Sequence, residues 1–280
     1  MSIRDAKILK IVPNSLTIGN SLCGFIAILY TLHAYDTSRD FRAMLLVFVI
    51  SSGMIFTAMI FDALDGLAAR AFHAGSMTGI QMDSLADMVT FGVAPATMVA
   101  VLTNNLLREF RSWQLVMVYA LCSIYLGCAA LRLAIYNVKA ITEHKSSKSF
   151  SGLPSPGGAA AICVTIFFVY TLSTKENSHD VLRRLALILP GYAAVLGLLM
   201  VSNIPYLHIG KWLVSMLASR NKRFVFALLA IVAILCMINA PKITLYVLIN
   251  ALAVIVTCYI LSGPLSLLLP RKVRQRIFGD

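Results

Sequence analysis

Long apolar segments dominate this sequence and limit the folds open to it. Eight of them approach or exceed the length that crosses a bilayer. An α-helix needs about 20 apolar residues to span the hydrocarbon core, and only helices and closed barrels satisfy their backbone hydrogen bonds there. We therefore predict an all-α, polytopic membrane helix bundle. The predicted spans are 16–35, 41–64, 83–104, 113–136, 157–173, 182–201, 224–240 and 243–267.

The distribution of charge supports this fold class. Of the 280 residues, 59% are hydrophobic and 13% are charged, whereas about 25% of the residues in soluble proteins are charged. The net charge of +12 would suit nucleic acid, but the basic residues lie between the apolar segments. Of the 24 Lys and Arg residues, 15 fall on the membrane side that holds the N-terminus, 8 fall on the other side, and Arg132 lies inside a predicted span. This bias predicts that both termini are cytoplasmic. We expect an integral protein of the cell (inner) membrane, in contact with lipids and not with nucleic acid.

Acidic residues are scarce, and a third of them are concentrated in one window. Four of the 12 are Asp62, Asp65, Asp83 and Asp87. The first pair is spaced i, i+3 and the second i, i+4, so each pair shares a helix face. Because one loop returns the chain to the same membrane surface, we expect the pairs to converge. Carboxylates at membrane depth are by default a functional site.

Close carboxylates repel one another unless they are protonated or bridged by cations. Oxygen-only ligands suit hard divalent cations, so the sequence predicts Mg²⁺ or Mn²⁺, with two ions expected. Gly66, Ala69 and Gly79 leave room beside the acids, and Arg70 offers a fork for phosphate oxygens. Acidic metal ligands, small residues and an arginine together are typical of a site that binds a diphosphate.

A cation transporter that uses the aspartates as a transit site is the alternative. Such a site would place acidic residues near the middle of the bilayer, whereas these aspartates lie at one end of their spans.

These residues form the pattern D-x-x-D-G-x-x-A-R-x8-G-x-x-x-D-x-x-x-D over positions 62–87. It resembles the signature of the CDP-alcohol phosphatidyltransferases, in which a second alcohol attacks the phosphoryl group of a CDP-alcohol and CMP is released. The resemblance implies that Asp62, Asp65, Asp83 and Asp87 hold divalent metals and that Asp87 is also the catalytic base. It further implies a CDP-binding set made of Gly66, Ala69, Arg70 and Gly79.

Further segments are similar to the membrane-embedded phosphatidylserine synthases within that family. They lie within roughly residues 11–205 and comprise 13–20, 84–95, 132–137, 150–156 and 202–206. The resemblance implies CDP-diacylglycerol and L-serine as substrates and a homodimer. It predicts a six-helix core over 1–205, followed over 206–280 by two transmembrane helices and a basic tail. Glycerol 3-phosphate, an inositol phosphate or an isoprenoid (archaeal-type) donor lipid remain alternatives.

The candidate acceptor site is less sharply defined. Arg132 either contacts an anionic substrate or extends to the membrane surface. After this arginine, the family often has a second arginine and an aromatic residue, whereas this sequence has Ile135 and Tyr136. The segment from Gly152 to Pro156 lacks helix character and either closes over substrate or forms a plain turn. A polar face of the first helix lines the cavity or bonds a neighbouring helix. The acceptor candidates are Arg132, Asn137, Gly152, Pro154 and Ser155, and the cavity candidates are Asn14, Thr17 and Asn20.

Overall fold

A computed structural model describes residues 3–37, 40–71, 77–107, 111–142, 152–173, 179–206 and 241–267. Nearly all of these residues are helical. One span bends through a short π-helical turn, Met88–Val93, which joins two α-helices without a break. The α-helices are α1 Ile3–His33, α2 Phe41–Ala71, α3 Met77–Asp87, α4 Ala94–Leu106, α5 Ser112–Thr142, α6 Ser155–Leu172, α7 His179–Val201 and α8 Pro241–Ser266.

Seven helical segments within the described residues are long and apolar enough to cross a membrane. They confirm the predicted polytopic helix bundle, and each corresponds to one predicted span. The eighth prediction, 224–240, lies outside the described residues. The seven segments are Pro13–His33, Phe41–Ala69, Met77–Leu106, Ser112–Val138, Ser155–Leu172, Val181–Val201 and Ile249–Ser266.

The two helices that carry the four aspartates extend beyond their predicted spans. Helix α2 continues to Ala71, past the predicted end at 64, and α3 begins at Met77, before the predicted start at 83. Hydropathy locates the apolar core of a span, whereas alanine and leucine continue a helix beyond it. Asp65 and Asp83 therefore lie inside regular helices, which holds their side chains at fixed angles.

Helix α1 buries its small and polar residues and exposes its large apolar ones. This is the reverse of a soluble helix, and it suits a bundle whose outer surface meets lipid while close backbone approach holds the inner faces together. The outward residues include Ile18, Leu22, Phe25 and Leu29. The inward residues are Pro13, Thr17, Asn20, Gly24, Ala27 and Thr31.

On this inner face, Gly24 approaches the π-helical turn closely. A Cβ on Gly24 would overlap Thr90 Oγ1 and would lie 2.9 Å from Thr90 Cα. We expect Gly24→Ala to lower the free energy of unfolding by about 1–3 kcal/mol, because the backbones must separate. Thermal unfolding of the protein in detergent micelles measures this change.

The matched control is Gly53→Ala on α2, because a Cβ there would meet nothing within 4 Å. This variant should be neutral or more stable by up to about 1 kcal/mol, since alanine favours the helix over glycine. Equal stability of the two variants would contradict the close approach at Gly24.

The chain divides into two compact units. The first comprises Met1–Ser146 with Leu153–Ser202, and the second comprises Ser147–Gly152 with Asn203–Asp280. Within the second unit, the Tyr206 hydroxyl donates to the carbonyl oxygen of Ile260 on α8 at 3.2 Å. The predicted domains, 1–205 and 206–280, stay a prediction.

The segment expected to lack helix character is shorter than predicted. Helix α6 already begins at Ser155, and Pro156 lies in its first turn, where a missing N–H does no harm. The expectation of a loop is therefore wrong for these two residues. Gly152 has a φ of 89°, which favours glycine, and its N–H donates to the Ile204 carbonyl oxygen at 2.8 Å.

Candidate active site

Three aspartates from two helices meet at one point in the first unit. Asp62 comes from α2, and Asp83 and Asp87 come from α3. One carboxylate oxygen of each lies within 4.8 Å of the others. The first two side chains are half-buried and Asp87 is buried. The predicted convergence of the two acidic pairs therefore holds for these three residues.

Asp65, the fourth predicted metal ligand, is held somewhat apart. It does not belong to the group of three, and it is buried at 6% exposure. The Thr17 hydroxyl on α1 donates to Asp65 Oδ2 at 2.9 Å. One oxygen of this carboxylate is thus engaged by the protein, and a metal-binding role for Asp65 stays a prediction.

Asp87 is held by a second residue of α1. The Asn20 side chain is fully buried, and its Nδ2 donates to Asp87 Oδ1 at 3.1 Å. The Thr90 hydroxyl, one turn after Asp87, donates to the backbone carbonyl oxygen of Asn20 at 3.1 Å. Both contacts join the first helix to the segment that carries the aspartate. The sequence left open whether Thr17 and Asn20 line a cavity or bond a neighbouring helix, and the structure shows them bonded to acidic residues of α2 and α3.

The π-helical turn begins directly after Asp87. Such turns are frequent at functional sites, because they disturb the regular hydrogen bonds of the helix. Here the hydroxyl of Tyr125 on α5 donates to the carbonyl oxygen of Phe91 at 2.8 Å. Both side chains are fully buried. The turn is therefore anchored from α5 as well as from α1, which fixes the position of Asp87 on its helix.

The donor set fits a hard divalent cation. Three carboxylates this close repel one another by an amount on the order of a few kcal/mol per pair, and a bridging cation reverses that repulsion. Asp83 Oδ1 is buried and has no hydrogen-bond partner within the described part of the chain, and such an atom needs one. Carboxylate oxygens are the ligands that Mg²⁺ and Mn²⁺ prefer. Asp62, Asp83 and Asp87 are the residues that would hold the ion.

Small residues continue the faces that carry the acids. Gly66 and Ala69 follow Asp62 at i+4 and i+7 on α2, and Gly79 precedes Asp83 by four residues on α3. Residues at these spacings share a helix face. All three small residues are half-buried, which leaves open surface beside the carboxylates. Their CDP-binding role stays a prediction, and the side chain of Arg70 lies outside the described residues.

Two further hydrogen bonds connect α5 to its neighbours. Arg132 Nη1 donates to the Ser155 hydroxyl at 2.6 Å, and the Ser84 hydroxyl donates to Asn137 Oδ1 at 2.8 Å. Arg132 and Ser155, predicted independently as acceptor residues, are therefore in contact. The sequence assigned no role to Ser84, which lies next to the acidic cluster.

The remaining acceptor and cavity candidates are more dispersed. Asn14 is half-buried, one turn before Thr17, and Pro154 lies directly before α6. Gly152 belongs to the second unit. A role for these residues in binding a substrate stays a prediction.

The sequence assigned no role to Thr90 or to Tyr125 either. A hydroxyl inside an apolar span is the signal that marks them. That signal is shared by other buried residues such as Thr31 and Ser52, which lie far along the helices from the acids. It therefore has little power to select site residues.

The sequence of this chain has relatives among known proteins. The chain is similar to proteins named CDP-diacylglycerol–serine O-phosphatidyltransferase from three organisms. It is 35% identical to that of Bacillus subtilis strain 168 over 161 residues, which cover 57% of this chain and 76% of the relative. For Helicobacter pylori strain J99 the identity is 29% over 198 residues, covering 71% and 72%. For Methanocaldococcus jannaschii it is 34% over 177 residues, covering 63% and 73%.

A family model described as CDP-alcohol phosphatidyltransferase matches residues 10–201. That stretch includes all four aspartates and both α1 residues that contact them. It also includes the π-helical turn and its anchor on α5. Since the match covers well over half of the sequence, the chain belongs to the CDP-alcohol phosphatidyltransferase family.

Proposed function

We propose that this protein transfers the phosphatidyl group of CDP-diacylglycerol to the hydroxyl of L-serine, forming phosphatidylserine and CMP. The observation that carries the proposal is the group of carboxylates from Asp62, Asp83 and Asp87, whose oxygens lie within 4.8 Å of one another. Membership of the family makes the chain a transferase rather than a cation transporter. The names of its relatives support serine as the acceptor.

The proposed reaction is a single displacement at phosphorus. The serine hydroxyl oxygen forms a bond to the phosphorus that carries diacylglycerol, the anhydride bond to CMP breaks, and CMP leaves with the bridging oxygen. Asp87 takes the hydroxyl proton. Two Mg²⁺ or Mn²⁺ ions, when bound, would neutralise the charge of the diphosphate. In such reactions the protein contributes mainly position and charge.

The location of Asp87 supports its role as base. Its carboxylate is buried at 9% exposure and is held by Asn20 Nδ2 at one oxygen, so its other oxygen faces a fixed direction. A general base acts only within hydrogen-bond reach of the proton it removes. A carboxylate fixed in this way supports the base role, because a substrate hydroxyl bound beside the cluster would meet an oxygen held in a constant position.

Contacts around α5 support the proposed acceptor site. Serine carries a carboxylate that needs a cation, and Arg132 is half-buried beside Ser155. Asn137 lies against Ser84, the residue after Asp83. We assign these two α5 residues to the acceptor. The cluster would lie at the cytoplasmic surface of the cell membrane, with the protein a homodimer, as the charge bias and the family resemblance imply.

A parallel acceptor assay tests this proposal. Purified protein in detergent–lipid micelles receives CDP-diacylglycerol and Mg²⁺ or Mn²⁺, with labelled serine, glycerol 3-phosphate or an inositol phosphate in separate reactions. We expect that, of the three acceptors, only serine gives CMP release and a labelled lipid. CMP release with glycerol 3-phosphate and none with serine would refute the acceptor. A further reaction supplies serine with an isoprenoid CDP-lipid in place of CDP-diacylglycerol, and turnover of that lipid but not of CDP-diacylglycerol would refute the donor.

A further inference from the structure

Helix α1 contains none of the motif aspartates, yet it donates hydrogen bonds to two of them. Thr17 and Asn20 lie one helical turn apart, and both are buried. The Thr17 hydroxyl donates to Asp65 on α2, and the Asn20 amide donates to Asp87 on α3. One turn of α1 therefore contacts carboxylates from both helices that build the acidic site.

The donor from Asn20 has little freedom to move. Its backbone carbonyl accepts a hydrogen bond from Thr90, and Gly24, one turn later, packs directly against the Thr90 backbone. The Asn20 side chain is fully buried, so rotation away from Asp87 would leave buried polar atoms without partners at a cost of about 1–3 kcal/mol. The position of α1 thus sets the direction of the Asp87 carboxylate.

Thr17 is constrained in a similar way. Its hydroxyl lies 3.1 Å from the carbonyl oxygen of Pro13, one turn earlier, as well as 2.9 Å from Asp65 Oδ2. The side chain is buried at 5% exposure and Asp65 at 6%. The single hydroxyl proton has both acceptors within reach, and the carboxylate oxygen is the nearer and the stronger of the two. Because Thr17 Oγ1 is attached to a buried position of α1, it donates from a fixed point and orients the Asp65 carboxylate.

We propose that Thr17 and Asn20 are positioning residues, which orient Asp65 and Asp87 for metal binding and for the reaction. The inference rests on the proposed function, in which these aspartates bind divalent ions. Partners that hydrogen-bond to metal ligands typically contribute about 10–100-fold to metal affinity or activity. Helix α1 would then tune the site without touching the ion.

Helix α1 offers a matched pair of threonines for the test. Thr31 is fully buried, and its hydroxyl lies 2.8 Å from the carbonyl oxygen of Ala27, one turn earlier. It also lies 3.2 Å from Ser51 Oγ on α2. Thr17 and Thr31 therefore each bond a carbonyl four residues back and a polar side chain of α2. Only Thr17 has a motif aspartate as that partner.

The experiment compares Thr17→Val with Thr31→Val and adds Asn20→Leu, which keeps a similar volume without the donor. Mn²⁺ binding to the purified protein is measured from the loss of the free-ion electron paramagnetic resonance signal, and thermal unfolding and CMP release are followed in parallel. We expect the two valine variants to lose similar stability. Thr17→Val and Asn20→Leu should bind Mn²⁺ about 10–100-fold more weakly, while Thr31→Val binds like the wild type.

The valine pair decides the outcome even where Asn20→Leu does not fold. Equal Mn²⁺ affinity and equal turnover of Thr17→Val and Thr31→Val would overturn the proposal, as would a wild-type protein that binds no Mn²⁺. Weaker Mn²⁺ binding by Thr17→Val in a protein that makes no phosphatidylserine would refute the proposed function and leave the positioning role intact.

Discussion

Replacing Asp87 with asparagine should slow CMP release by about 10²–10⁴-fold, the contribution typical of a general base. Asparagine has nearly the same shape but cannot accept the proton of the incoming hydroxyl. The Asn20 amide would also face a neutral partner in place of the carboxylate it contacts at 3.1 Å. The rate is measured with saturating CDP-diacylglycerol and serine, and thermal unfolding verifies that the variant is folded.

Asp87 belongs to the carboxylate group as well, so weaker metal binding could mimic the loss of a base. The assay is therefore repeated with increasing Mn²⁺ until the rate no longer rises. A rate that stays low at saturating Mn²⁺ supports the base, whereas recovery of the wild-type rate would show that Asp87 acts only as a ligand.

Asp36→Asn is the control for removal of a carboxylate. Asp36 is exposed and follows the far end of α1, with one oxygen 3.3 Å from His33 Nδ1. Because the acidic cluster lies near the opposite end of α2, this substitution should leave turnover unchanged. A comparable loss in Asp36→Asn would mean that the assay reports general damage to the protein.

Much of the fold and the composition of the acidic site could be predicted from local properties of the sequence. The number of apolar residues in a row defines a span, and the seven described spans overlap their predictions. The spacing of Asp83 and Asp87 defines a shared face on any α-helix. Charge scarcity then made the cluster conspicuous, because only two short segments carry four of the 12 acidic residues.

The contacts between helices could not be predicted from such local properties. Asn14, Thr17 and Asn20 are evenly spaced on α1, yet the structure joins Thr17 to Asp65 and Asn20 to Asp87. Which helix those side chains meet depends on the rotation and depth of α1, and these are set by the approach of Gly24 to Thr90. No periodicity in a single sequence encodes that register.

The π-helical turn was likewise invisible in the sequence. Met88–Val93 is apolar apart from Thr90 and reads as ordinary helix. The turn is stabilised by the Tyr125 hydroxyl, which comes from a residue 34 positions later. A departure from α-helical geometry that depends on a distant partner has no local signature, so the exact placement of Asp87 could not be predicted.

Removal of divalent cations should abolish CMP release and should also destabilise the wild-type protein. A ligand that binds only the folded state adds about 2.7 kcal/mol of stability at a hundredfold excess over its dissociation constant. Chelation removes that term and leaves the carboxylates of Asp62, Asp83 and Asp87 to repel one another within 4.8 Å. Thermal unfolding with chelator, and then with added Mg²⁺ or Mn²⁺, measures the change, and K⁺ at the same ionic strength controls for screening.

The Asp83→Asn variant distinguishes metal binding at the cluster from a general effect of salt on stability. Neutralising one of three close carboxylates relieves repulsion, so the variant should be at least as stable as the wild type in chelator. It should gain little from Mg²⁺ or Mn²⁺, since a ligand with an unpartnered buried oxygen has been removed. The order of stability of the two proteins should therefore invert when the divalent cation is added. Parallel stabilisation of both proteins would show that the cation binds elsewhere, and the cluster would then need another explanation for holding three acids together at membrane depth.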